Sequence, residues 1–250
     1  MKPDTVLPKR PWPYRAGKKA RAAVDRVIAR SSIISNDPLI DAAEFPWTAL
    51  LRDHWESIRM EAEALLPNVS LIPTLRFVSP DHRRIAQDDL WKSFFLYGYG
   101  YKVAENCARC PVTAALVEEI PDLNSAFFSI LLPGTRIAPH RGPTKGIVTC
   151  HLGLLVPAGD RCCMRLADRL VHWAEGECVV FDDTYRHEVW HEEETPRVVL
   201  LIQVKRPLRF PGRQVADLFL TGIRLSPFVQ EGRRNLAAWQ RAVAATDRPD

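Results

Sequence analysis

The chain is predicted to be mainly β, an antiparallel sandwich or barrel with flanking helices. Four short apolar runs, at 126–132, 148–156, 178–181 and 197–204, are separated by Gly, Pro and Asp turns. They lack the helix-length spacers of alternating α/β folds. Helical periodicity is confined to the segments before and after these runs. With 250 residues, 46% hydrophobic and 26% charged, the chain can bury one sizeable core, which excludes disordered and fibrous classes.

The first segment is basic. Residues 1–30 hold nine Lys/Arg against Asp4 and Asp25, a net of +7, whereas the whole chain sums to only +4. Pro3, Pro8, Pro11 and Pro13 make residues 1–19 read as a surface-draped arm. A basic helix is expected over 18–30, with Ala22, Ala23, Val27 and Ile28 on a thin apolar side. This arm 1–30 suits peripheral contact with an anionic membrane or an acidic partner, or else lies solvated on the body. The body, residues 31–250, is slightly negative and has no aromatic-interleaved basic groove, so nucleic acid is not expected as a partner. There is no run of 18 apolar residues and no apolar leader, so no transmembrane segment is expected and the expected address is cytoplasmic. The six cysteines are expected as free thiols, although Cys107 and Cys110 have redox or zinc spacing.

The body divides into a helical lead-in (31–120), a β core (121–210) and closing helices (211–250). Trp47, Leu51, Trp55, Ile58, Ala62 and Leu65 recur every three or four residues, predicting one helix from Phe45 with Pro46 in its first turn and Pro67 as its stop. Trp91 to Tyr99 is an aromatic strand ending at Gly98-Tyr-Gly100. AFFSILL ends at Pro133-Gly134; VTCHLGLLV follows; CVVF comes after Glu175-Gly-Glu177; RVVLLIQV closes at Arg206-Pro207. Beyond Gly212 the period is helical again, and a helix from Phe228 to Ala242 is expected to cover a sheet face. No internal repeat, P-loop, HExxH, GxSxG or EF-hand pattern occurs.

Five of the seven histidines, His140, His151, His172, His187 and His191, fall among the strands and turns. His140 precedes Arg141-Gly142-Pro143, and His187 follows the Asp182-Asp183 turn. Residues so separated can meet at a barrel mouth, where neutral imidazoles suit Fe(II); the alternative for each is an ordinary surface position. Arg197 shares a strand face with Val199, Leu201 and Gln203, so it needs an anion there or an outward pair with Glu192, Glu193 or Glu194. The Ser129 hydroxyl, in mid-strand, serves either neighbouring backbone or a ligand. Thr149 and His151 share a face; if it points inward, three strands assemble a polar pocket. Cys150, on the opposite face, reads as core, and His172 and His191 read as surface.

The segments SILLPGTRIAPHRGPT (129–144), CHLGLLVP (150–157), WAEGECVVFDDTYRHEVW (173–190) and RVVLLIQVKRP (197–207) resemble the aspartyl/asparaginyl β-hydroxylase family of Fe(II)- and 2-oxoglutarate-dependent oxygenases. The spacing Ser129, His140, His151 and then His187, Arg197 carries the resemblance. It implies a double-stranded β-helix, or jelly roll, with iron held by His140 and His187. Gly142 stands where most such oxygenases have an acidic ligand, in keeping with a two-histidine centre completed by water. Arg197 is implied to bind the distal carboxylate of 2-oxoglutarate with help from Ser129, and His151 to lie near the metal-side carboxylate. Asp182 and Asp183 are expected either to orient His187 or simply to form a tight turn. Thr149 departs from the family, whose animal members have an arginine there. The activity implied is hydroxylation of an aspartyl/asparaginyl-type peptide, amino-acid-like or other small substrate, consuming O2 and releasing succinate and CO2. A lipid acyl-chain hydroxylase at a membrane surface and a non-catalytic jelly-roll binding module are the alternatives.

Overall fold

The computed structural model describes residues 12–79, 83–86 and 88–246; residues 1–11 of the basic arm and His82 lie outside them. The described chain opens with helix α1 (Trp12–Ser31), then strand β1 (Leu39–Ile40) and helices α2 (Trp47–Asp53), α3 (Trp55–Glu63) and α4 (Leu75–Val78). A hairpin of β2 (Trp91–Gly98) and β3 (Tyr101–Lys102) precedes α5 (Ala104–Arg109) and α6 (Pro111–Glu118). Its turn places Tyr99 at φ +50 and Gly100 at φ +76, a left-handed pair that glycine eases.

Eight strands then form the barrel: β4 (Leu123–Leu131), β5 (Arg136–His140), β6 (Ile147–Leu155), β7 (Cys162–Leu166), β8 (Arg169–Val171), β9 (Cys178–Phe181), β10 (His187–His191) and β11 (Arg197–Lys205). The larger sheet has the order β1-β9-β6-β11-β4-β2-β3 and the smaller β5-β10-β7-β8. Successive strands from β4 to β7, and again from β8 to β11, alternate between the two sheets, and the pairings are antiparallel. That winding is the jelly roll. Helices α7 (Gly212–Leu225) and α8 (Pro227–Thr246) close the described chain.

The large sheet is apolar on both faces, which explains its continuous hydrophobic runs. Phe94, Phe128, Ile130, Leu152, Leu200 and Ile202 pack toward the helical layer with Leu51 and Ile58. Phe95, Phe127, Leu131, Val199 and Leu201 face the other way, into the barrel, against Met164 and Leu166 of the small sheet. The odd-numbered positions of β4, β6 and β11 therefore point inward, carrying Ser129, Thr149, His151 and Arg197 with them.

Two local expectations are revised. The helix expected to run on from Phe45 breaks at His54 (φ −117, ψ 13), whose ring Nδ1 takes the Leu50 carbonyl at 2.9 Å. The His54 backbone N–H bonds the Leu51 carbonyl instead, so the turn tightens and α3 starts anew. The basic segment is also helical earlier than expected, from Trp12, and it is seated on the body. Ile28 is completely buried, Arg21 donates to the Gly142 carbonyl, and Asp25 accepts from the Lys145 N–H at 2.9 Å. Among the described residues, no helix is long and apolar enough to cross a membrane.

Candidate active site

His140 ends β5, His187 begins β10, and the two are direct cross-strand partners. Their ring centroids lie 4.0 Å apart with planes inclined at 55°. Nδ1 of His140 donates to the Ala138 carbonyl and Nδ1 of His187 to the Tyr185 carbonyl, each at 2.9 Å. A carbonyl can only accept, so each ring carries a proton on Nδ1, which leaves Nε2 as the atom a metal would take. Burial pushes the His187 pKa down, favouring the unprotonated ring that a metal requires. Among the described residues no cluster of three His, Cys, Asp or Glu side chains forms a fuller metal site.

Beside this pair lies a pit of donors. Arg197 is 1% exposed; its Nη1 reaches the Ser129 carbonyl at 3.4 Å, its guanidinium lies 4.3 Å from the centre of the Trp173 ring, and its Nε has no partner. Burial lowers its pKa to about 10. Glu192 and Glu193 turn outward to Arg136 and Arg161, and Arg197 makes no ion pair among the described residues. Of the two roles left open for Arg197, the outward pair is therefore not formed. An unpaired buried cation is costly, and an anion entering the pit would relieve that cost.

His151 completes the pit. Its Nδ1 accepts from Trp173 Nε1–H at 3.1 Å, which puts the ring proton on Nε2, and that atom is buried without a partner. Burial, then the nearby Arg197 and His187, hold His151 well below the usual imidazole range, so it is neutral. The Ser129 hydroxyl oxygen accepts from Trp91 Nε1–H at 3.0 Å and keeps its own proton to donate. The five residues singled out from the sequence thus line one cavity of about 650 Å³.

The structure separates the two turn aspartates. Asp182 is fully buried against Arg206 at 2.6 Å and also holds Lys145 and Thr184, a structural ion cluster. Asp183 faces the cavity, where its Oδ2 accepts from Thr149 at 3.4 Å and Gln203 at 3.5 Å and its Oδ1 has no partner. Burial first, and then Asp182, raise the Asp183 pKa to about 7. Gly142 packs directly on this carboxylate and donates its N–H to the Asp183 carbonyl at 2.7 Å.

Sequence reasoning missed several contributors. His191, expected at the surface, is fully buried, because positions 187, 189 and 191 of β10 alternate inward together; that alternation from His187 was the available signal. Trp91 and Trp173, which orient Ser129 and His151, and Arg21, which borders the cavity from α1, had no local signature. His172 is exposed, Cys150 is buried, and all six cysteines are free thiols.

A jelly roll with paired, carbonyl-oriented imidazoles beside a buried guanidinium that lacks a counter-ion defines the class of protein. Comparison with known proteins then gives the family. The family model described as aspartyl/asparaginyl β-hydroxylase matches residues 52–207. The chain is 39% identical over 209 residues to the ornithine lipid ester-linked acyl 2-hydroxylase of Rhizobium tropici, covering 83% of this chain and 74% of that one. It is 30% identical over 169 residues to human aspartyl/asparaginyl β-hydroxylase, covering 66% of this chain but only 22% of the human protein's length. A cupin 2 conserved barrel domain protein from Salinispora arenicola overlaps more loosely, with a TM-score of 0.33 at 10% identity over 55% of this chain and 88% of that one. This chain belongs to the aspartyl/asparaginyl β-hydroxylase family.

Proposed function

We propose that the chain is an Fe(II)- and 2-oxoglutarate-dependent hydroxylase whose substrate is the acyl chain of a polar lipid. The observation that carries the co-substrate is Arg197: a fully buried guanidinium without a counter-ion, flanked by the Nε2–H of His151 and the Ser129 hydroxyl. Three convergent donors match a dicarboxylate better than any neutral ligand, and the planar guanidinium suits one carboxylate end bidentately. The carbonyl-oriented histidine pair suits a divalent first-row metal taken through Nε2 of His140 and His187, with oxygen ligands left to complete the shell. Bound iron with 2-oxoglutarate and O2 would supply the oxidising power to hydroxylate an unactivated C–H bond, releasing succinate and CO2.

The chain's own residues do the rest. Arg197, Ser129 and His151 hold the dicarboxylate in one orientation, and Trp91 and Trp173 lock two of those donors by hydrogen bonds. The cavity walls carry Leu75, Val78, Phe95, Val229 and Leu236, apolar surface that suits an alkyl chain, together with Arg21, Arg141 and Arg233, which suit a polar or anionic headgroup. Thr149, standing in place of the family's arginine, hydrogen-bonds Asp183 and Gln203 and offers no cation to an acidic residue. The name of the Rhizobium relative is consistent with this lipid reading, whereas that of the human relative points to a peptide substrate.

The test is succinate release from 2-oxoglutarate by the purified chain with Fe(II) and ascorbate, in the presence of detergent-dispersed acylated polar lipids or short Asp/Asn peptides. Stimulation by the lipid, with the hydroxyl found on the acyl chain, is expected. Stimulation by the peptides alone would overturn the substrate, and failure to bind or consume 2-oxoglutarate would overturn the chemistry.

A further inference from the structure

The three most exposed large apolar side chains among the described residues are Phe210 (81%), Leu218 (77%) and Leu225 (67%). All three belong to α7 or its lead-in. Leu218 and Leu225 are seven residues apart, on one stripe of the helix, with Gly222 between them. Gly222 lines the catalytic cavity, yet a Cβ there would meet nothing within 4 Å. At Gly222 the stripe therefore meets an open part of the cavity wall. Ile223, the next residue, also lines the cavity, and Arg21 of α1 borders it as well. At the Tyr99–Tyr101 turn, Arg224 and Arg233 lie over the Tyr101 ring at 4.5 and 3.8 Å.

Charge follows the same layout. α7 packs against both α1 and α8. The segments forming these three helices hold eleven Lys/Arg against three Asp/Glu, whereas residues 32–211 hold nineteen against twenty-four. Basic helices presenting bare leucines on an otherwise acidic body match an anionic bilayer, which attracts the arginines and accepts the leucines below its headgroups. Another protein would more often offer mixed charge around such a patch.

We infer that α7, with Phe210 and the neighbouring basic helices, is the face by which this protein docks on an anionic phospholipid bilayer, so that an acyl chain passes from the membrane past Gly222 into the cavity. The inference rests on the acyl-chain reading for its purpose, but docking is measured separately from turnover. It places the contact on α7, close to the cavity mouth, and gives the basic amino-terminal segment a supporting electrostatic role.

The experiment is co-sedimentation of the full chain, without iron, with vesicles of phosphatidylcholine alone or of equal parts phosphatidylcholine and phosphatidylglycerol. Binding is expected only to the anionic vesicles and should weaken as salt rises. Leu218→Ser and Leu225→Ser should each weaken it about tenfold, and Arg213→Gln, at the exposed arginine in the first turn of α7, about fivefold. Because these side chains are exposed, the variants should melt with the wild type and should consume 2-oxoglutarate normally with detergent-dispersed lipid. Wild-type protein that ignores anionic vesicles, or leucine variants that bind as well as wild type, would overturn the inference. So would a concentration-dependent dimer that the leucine variants dissociate in the absence of vesicle binding, since a second copy would then cover α7. Vesicle binding lost in the leucine variants, with no acyl lipid hydroxylated by any form, would support docking and remove the acyl-chain reading alone.

Discussion

Gly142 and Asp183 share a single space: a Cβ built on Gly142 would lie 1.9 Å from Oδ1 of Asp183. The position two residues after His140 therefore cannot carry a side chain while Asp183 keeps its place. The carboxylate there arrives from the other strand connection, four residues before His187. Gly142→Ala is expected to destabilise the fold by about 1–3 kcal/mol through overpacking. Asp183→Ala removes the obstructing carboxylate, so the double variant should recover most of that loss. A thermal-denaturation double-mutant cycle reads this directly, and additive effects would contradict the shared space.

Asp183 also predicts a pH dependence for the metal-free protein. Its folded pKa of about 7 lies above that of an unfolded aspartate, so the folded state holds the extra proton. Stability is unaffected by this group below about pH 4, falls by about 1.4 kcal/mol per pH unit toward pH 7, and is level beyond. Asp183→Asn should remove that slope, so that the variant gains on the wild type as pH rises. Urea unfolding in the presence of a chelator across pH 4–8 measures it, and parallel profiles for the two proteins would contradict it.

For Arg197→Met the expected outcome divides in two. Replacing an unpaired buried charge by an apolar chain should leave the melting temperature equal or higher. 2-Oxoglutarate affinity, read by quenching of the neighbouring tryptophans, should fall about 100-fold, the loss typical of breaking a desolvated charge pair. Arg197→Lys should not restore it, because an ammonium cannot reproduce the planar fork. Unchanged affinity in the Met variant would exclude Arg197 as the carboxylate partner.

His140→Ala and His187→Ala should each reduce anaerobically loaded iron to less than about a tenth of wild type, since neither ring alone leaves two protein donors. Iron content by mass spectrometry decides this independently of activity. Substituting the exposed His172 serves as the control and should leave iron content at the wild-type level.

Much of the large sheet was legible in the sequence because its strands are covered on both faces and therefore read as apolar runs. The run at 197–204 falls within β11, those at 126–132 and 148–156 pass the ends of β4 and β6 by one residue, and the run at 178–181 is β9 itself. The small sheet was hidden. Strands β5, β8 and β10 interleave exposed or half-buried residues with buried ones, so their patterns resemble turns, and the two histidines could be placed only beside turns rather than on facing strands. The seating of α1 was equally invisible, since the burial of Ile28 is a tertiary fact, whereas the break at His54 is local, its ring bonding the carbonyl four residues back.

By itself the sequence determined which residues travel together on a strand: the period of two put Thr149 with His151 and Arg197 with Val199, Leu201 and Gln203, without saying which face was inward, and the motif spacing tied Ser129, His151 and Arg197 to His140 and His187. Only the tertiary structure decided that His140 and His187 lie across from each other, that Arg197 makes no ion pair among the described residues, that the Asp183 carboxylate fills the space beside Gly142, and that α7 lines the cavity through Gly222 and Ile223 while Leu218 and Leu225 stay exposed. The physical reason is range. Side-chain alternation is set by the local backbone, whereas strand register, counter-ion choice and the filling of space depend on segments tens of residues apart that meet only when the barrel closes.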